Sequence, residues 1–203
     1  MKTIAAIAFI LSAALAQAAE PRVAYTLAVT KPGTVETITE VRAGQEFDIA
    51  LEARDLRPTS VIDGRTMFRG VFAAYVGLLY PTQHASVVSV THVPPFTNGK
   101  QRRVLDSGLS PLGGFSGLFS GDSYPREVVR IRFRAEWPAD LPPHVTEVTA
   151  KFRPILAGLR KPTFDTLLYG SLKPDRQSYY PGEQSNVNAD EIELTGASVR
   201  ILK

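Results

Sequence analysis

The chain contains no cysteine, only three histidines and a single tryptophan. Without thiols there is no cysteine nucleophile, no Cys-ligated zinc, no iron–sulfur cluster and no disulfide framework. His84, His92 and His144 are scattered, no H-E-x-x-H occurs, and the three read as surface residues rather than metal ligands. There is no P-loop and no G-x-G-x-x-G. The nucleophile elbow G-x-S-x-G is also missing: Gly114-Phe115-Ser116-Gly117-Leu118 ends in Leu, and Gly117 to Gly121 has the wrong spacing. Nor is there a large surplus of either charge. The 203 residues carry a net charge of +3, which offers no basis for a nucleic-acid partner. Helical periodicity, internal repeats and low-complexity tracts are absent as well.

The N-terminus has a positive residue, Lys2, then a 13-residue apolar run from Ile4 to Ala16, then Ala16-Gln17-Ala18 as a small-x-small cleavage site. That is the layout of a secretory signal peptide over residues 1–18, too short to span a bilayer. Residues 19–203 then form one domain with 22 basic and 20 acidic residues. The expected location is outside the cytoplasm: secreted, periplasmic or on the cell surface, with no membrane span after cleavage.

Period-two alternation dominates the rest. Val23, Tyr25, Leu27 and Val29 share one face, and Phe47, Ile49 and Leu51 another, with Glu46, Asp48 and Glu52 opposite. Residues Val71–Tyr80 are almost continuously apolar and bounded by Gly70 and Pro81, the signature of a central strand. In Arg126–Trp137, Val129, Ile131, Phe133 and Ala135 oppose Arg130, Arg132 and Arg134; in Glu147–Arg153, Val148, Ala150 and Phe152 oppose Lys151 and Arg153. Gly196 reads as a bulge or bend within the terminal strands. Residues 94–124, rich in Gly and Pro, read as a long loop with its own apolar side chains and room for one short strand or helical turn. The expected fold is an all-β sandwich of about nine strands. Its expected core includes Phe47, Ile49, Leu51, Val71, Phe72, Tyr75, Ile131 and Phe133.

No catalytic residue and no cofactor is indicated. Asn186-Val187-Asn188-Ala189-Asp190 is a faint calcium-loop pattern. It has Glu191 where Gly belongs and Ala197 where Glu belongs, so calcium is possible but unsupported, and Asx-turns are the simpler reading. The candidate binding residues are the alternating cations Arg130, Arg132, Arg134, Lys151 and Arg153. Were their two strands to pair, five cations would share one docking face for an acidic protein or an anionic polysaccharide.

Several segments, in order, resemble cohesin-like domains of secreted planctomycete-type proteins. They are Ala53-Arg54-Asp55-Leu56-Arg57, Gly70-Val71-Phe72-Ala73-Ala74-Tyr75-Val76, Tyr80-Pro81, Ser86-Val87-Val88-Ser89-Val90, Phe96-Thr97-Asn98-Gly99, the Gly113-Gly114 loop, Val129 to Phe133, Leu168-Tyr169-Gly170 and Ala197 to Ile201. The resemblance covers roughly Val23 to Ile201. It implies a nine-stranded jelly-roll sandwich, kin to carbohydrate-binding modules, with a non-catalytic binding role and a dockerin-like protein as partner. It assigns no binding residue. Two other readings stay open: a structural envelope or matrix protein, and an accessory carbohydrate-binding protein in polysaccharide breakdown. For the latter, Trp137 and Tyr179-Tyr180 are the only candidate stacking residues.

Overall fold

A computed structural model describes residues 20–57, 61–62, 65–66, 70–96, 103–105, 108–115, 125–156, 166–168 and 185–203. The expected signal peptide, the tail of the 94–124 segment and Tyr179-Tyr180 lie outside these residues. The described chain is built from strands: β1 (Val23–Thr30), β2 (Glu40–Arg42), β3 (Glu46–Asp55), β4 (Val61–Ile62), β5 (Arg65–Thr66), β6 (Val71–Leu79), β7 (Ala85–His92), β8 (Arg103–Leu105), β9 (Gly108–Phe115), β10 (Arg126–Ala135), β11 (Glu147–Leu156), β12 (Thr166–Leu168), β13 (Ser185–Asn186), β14 (Ile192–Thr195) and β15 (Ala197–Leu202). Nine of these have four residues or more, in line with the nine-stranded expectation. No helix among the described residues is long and apolar enough to cross a membrane.

Two sheets face each other. The first runs β14-β1-β3-β10-β7; the second runs β13-β12-β6-β11-β15-β2, with β9 on the other edge of β6 and β8 beyond it. β4 and β5 form a separate two-stranded hairpin. The chain passes between sheets at tight points. β14 pairs in parallel with β1 in the first sheet, and β15 pairs with β11 in the second. Gly196 is the one residue between them, as the sequence anticipates. A Cβ there would lie 2.6 Å from the Phe152 carbonyl oxygen, so no side chain fits at the crossing.

The period-two residues fill the interior. Val23, Tyr25, Leu27 and Val29 are buried on β1, Phe47, Ile49 and Leu51 on β3, and Val129, Ile131, Phe133 and Ala135 on β10. Ala150 and Phe152 on β11 and Val199 and Ile201 on β15 meet them from the second sheet. Phe133 packs between Phe47, Tyr80 and Phe152, with ring centroids 5.8, 4.9 and 5.1 Å away. Offset and edge contacts of this kind add about 0.5–1.5 kcal/mol each to the burial of the rings. Trp137 packs against this core from its rim, as a strand-ending aromatic does.

Two expectations are corrected. Phe72 and Tyr75 are half-buried rather than core. The inward residues of β6 are Ala74, Val76 and Leu78, and the ladders to β9 and β12 each shift register along β6. In an all-apolar run nothing in the residue types marks which parity faces inward. Second, the 94–124 segment is not one loop. β9 lies antiparallel to β6 from Ala73 to Leu79, and β8 pairs with β9 as a hairpin. The ladder slips between Val76 and Leu78, opposite Ser110-Pro111, where proline has no N–H to donate. Phe96, at the head of the segment, is buried in the core.

Candidate functional site

The cationic strands lie in different sheets. β10 pairs with β3 and β7, and β11 with β15 and β6, so the five cations do not form a single face. This corrects the expectation of one shared surface. Arg130, Arg132 and Arg134 stand on the outer side of the first sheet, and Lys151 and Arg153 on the outer side of the second.

On the first sheet the register decides everything. Arg132 lies opposite Asp48 and Arg134 opposite Glu46 on β3. Arg132 donates from Nε to Asp48 Oδ1 at 2.9 Å and from Nη2 to Oδ2 at 3.2 Å. Arg130 holds Glu127 with two hydrogen bonds of 2.7 and 2.6 Å, and its Nη1 lies 3.6 Å from Asp48 Oδ2. Arg134 reaches Glu46 at 3.4 Å. The turn joining β1 to β2 then closes over the group. Gly33 donates its backbone N–H to Asp48 Oδ2 at 2.6 Å, and Arg130 donates to the Thr34 carbonyl. Gly33 has φ +70°, the left-handed region that the turn needs in order to aim this N–H. Asp48 is thereby completely buried although it points away from the core.

Burial alone would push the Asp48 carboxyl up. The Arg132 hydrogen bonds, the Gly33 N–H and the fields of Arg132 and Arg130 outweigh it and hold the group below its ordinary range. The Glu127 hydrogen bond raises Arg130 in return, and that of Asp48 raises Arg132. A row of three arginines is thus largely neutralised by its own neighbours. Reading the sequence alone places Asp48 as a solvated outward residue; the signal for its real state, arginines at matching positions on another strand, needs the β3–β10 register.

A second buried carboxylate lies at the other end of β3. Asp55, at the end of β3, accepts two bonds from Arg57 Nε, one from Arg57 Nη2 at 2.7 Å, one from the Arg57 N–H and one from the Gly70 N–H at 2.9 Å. Asp55-Leu56-Arg57 and the Gly70 that opens β6 are joined through one carboxylate, which ties the two sheets' strands at that end. Asn188 and Glu191 of the faint calcium pattern are engaged locally. Glu191 Oε2 accepts the Asn188 N–H at 2.8 Å, and its other oxygen lies 3.5 Å from Arg22. Among the described residues no group of three His, Asp or Glu is placed to hold a metal. His84 and His92 are half-buried rather than on the surface, and burial pushes His92 below the usual imidazole range.

The second sheet's outer side is different. Thr149, Lys151 and Arg153 are exposed at every second position of β11, alternating with buried Ala150, Phe152 and Pro154. Neither Lys151 nor Arg153 has an ion-pair partner among the described residues. Lys151 is opposite Ser198 and Arg153 opposite Leu79. The acids of this side are used elsewhere: Glu147 and Glu40 pair with Arg200 at 3.2 and 2.6 Å. Lys151 and Arg153 border an open depression of about 520 Å³. Its other wall is the end of β6 and the following turn, with Leu79, Tyr80, Pro81, Gln83 and His84.

No family model matches the chain, and no curated protein does. Solved structures do. The OlpC cohesin of Clostridium thermocellum, solved in a type I cohesin–dockerin complex, aligns over 93% of this chain and 98% of its own at 13% identity, with a TM-score of 0.54. The seventh ScaB type I cohesin of Pseudobacteroides cellulosolvens aligns over 87% and 91% at 14% identity and a TM-score of 0.49. A non-cellulosomal cohesin from the archaeon Archaeoglobus fulgidus aligns over 88% and 91% at 11% identity and 0.48. The two-sheet arrangement, the strand count and the OlpC alignment over nearly the whole chain agree that the protein has a cohesin-like jelly-roll β-sandwich fold.

Proposed function

We propose that the protein is an exported, non-catalytic docking module that holds a dockerin-like protein partner outside the cytoplasm. The observation that carries the reading is the fold itself, aligned over 93% of this chain with a cohesin solved in complex with a dockerin. Two features of the chain support it. Residues 1–18 have the composition of a leader for export. The two buried aspartates among the described residues, Asp48 and Asp55, are engaged by arginine and backbone partners. The outer side of the second sheet is the docking surface in this reading. Its Lys151 and Arg153 have no ion-pair partner among the described residues, whereas Arg130, Arg132 and Arg134 of the first sheet are bound to their own acids.

Calorimetric titration of the purified mature chain with dockerin modules from its own organism tests the proposal. Saturable one-to-one binding to at least one of them is the expected result. Absence of heat with every such dockerin, together with hydrolysis of a polysaccharide substrate by the same preparation, would overturn it.

A further inference from the structure

The depression beside Lys151 and Arg153 has a chemistry that the docking role leaves unspecified. We infer that it receives an acidic segment of the protein partner, an Asp or Glu side chain next to an apolar one. The inference rests on the docking reading and adds the partner's chemistry to it.

Three observations converge. Lys151 and Arg153 stand two residues apart on one strand, so both project from the same side, about 7 Å apart along β11. They have no ion-pair partner among the described residues, whereas other exposed arginines of the two outer sides do. Arg134 has Glu46, and Arg200 has Glu40 and Glu147. Unpaired cations at the rim of a concavity leave their attraction for an incoming carboxylate unspent, and Arg153 can grip it with two hydrogen bonds. The second observation is the wall facing them. Leu79, Tyr80 and Pro81 are apolar or amphipathic and held in place, since Tyr80 packs edge-on against Phe133 and stacked on Phe152, and the His84 and Ala85 N–H groups both close on the Pro81 carbonyl. The third is size: about 520 Å³ suits one or two side chains better than a flat face would. His84 adds a buried Nδ1 without a hydrogen-bond partner among the described residues at the same wall. A carboxylate against the cations, with an aliphatic neighbour against Leu79 and Pro81, satisfies both halves.

The test uses the mature chain and a fluorescein-labelled peptide with alternating Glu and Leu, beside its Gln-for-Glu counterpart. Fluorescence anisotropy is expected to show binding of the acidic peptide and not of the amide one. The Lys151→Ser/Arg153→Ser double variant should weaken it by about tenfold or more, as should salt above about 0.1 M. Arg134→Ser, on the opposite outer side, should leave it unchanged. Equal weakening by Arg134→Ser, or unchanged binding by the double variant, would overturn the assignment. So would tighter binding of polygalacturonate than of the peptide through the same two residues. Dockerin titration of the same variants separates this inference from the docking reading. Dockerin capture that survives the double substitution leaves docking standing and removes this site. Peptide binding by a chain that takes no dockerin removes the dockerin reading and keeps the acidic-segment site.

Discussion

The two outer sides of this sandwich begin from the same sequence pattern and end as different surfaces. On β10, at residues 130, 132 and 134, and on β11, at residues 151 and 153, cations take alternate positions, with buried residues between them. On the first sheet the neighbouring strand supplies Glu46 and Asp48 in register, and a turn from elsewhere in the chain seals the result. On the second sheet the residues opposite Lys151 and Arg153 are Ser198 and Leu79. Arg130 and Arg132 thereby become part of the structure, Arg134 is paired at the surface, and Lys151 and Arg153 stay unpaired among the described residues. Charge spaced along a strand describes only half of an interaction; the partner strand writes the other half.

The comparison breaks most visibly at Arg132. Arg132→Leu removes the main partner of a fully buried carboxylate and should cost about 3–5 kcal/mol in urea denaturation. A loss near zero would mean that the first sheet's arginines are surface after all. Asp48→Asn should cost less, about 1.5–3 kcal/mol, because the arginines left behind already reach water and can solvate themselves. Gly33→Ala should cost about 1–2 kcal/mol, the strain of an L-residue at φ +70° in the turn that closes over Asp48. There is open room for the methyl group, whose nearest neighbour would be Arg132 Nη2 at 3.8 Å, so a larger loss would point to something other than backbone strain.

Acid should expose the same difference. The folded-state pKa of Asp48 is lowered, so its contribution is complete above the ordinary carboxylate value near 4 and is lost as pH falls through the folded value. The wild-type and Asp48→Asn stabilities should therefore differ at neutral pH and converge at pH values well below about 4. A gap that persists undiminished in acid would contradict the buried ion pair. The smallest effect belongs to the other side. Lys151→Ser with Arg153→Ser should change stability by no more than about 0.5 kcal/mol, since both are exposed and neither has an ion-pair partner among the described residues. A melting temperature that drops as far as that of Arg132→Leu would erase the contrast between the two sides.

Much of the fold was legible because burial in an antiparallel sandwich imprints a two-residue period. The inward sets on β1, β3 and β10 can be read directly, and so can the bend at Gly196. Parity failed on β6, where Val71 to Leu79 is apolar on both sides and Tyr75 could be assigned to either. Strand content failed at β9. Its Gly113, Gly114 and Pro111 are poor strand formers, and the segment is held extended by pairing with the edge of β6 rather than by its own preference. The candidate site was half legible. The five cations are visible as a pattern, but their division into a paired set and an unpaired set is not, and Asp48 has no local mark that distinguishes it from the exposed Arg54 or half-buried Glu52 on the same strand.

By itself, then, the sequence determined that this is a cysteine-free β-sandwich whose core follows the alternating residues, because side-chain direction in a strand is a local property of the backbone. Which charges meet was left to the tertiary structure. Arg132 is 84 residues from Asp48, and Arg153 is 74 from Leu79. Cross-strand neighbours at such separations are set by sheet order and register, which depend on the packing of the whole domain.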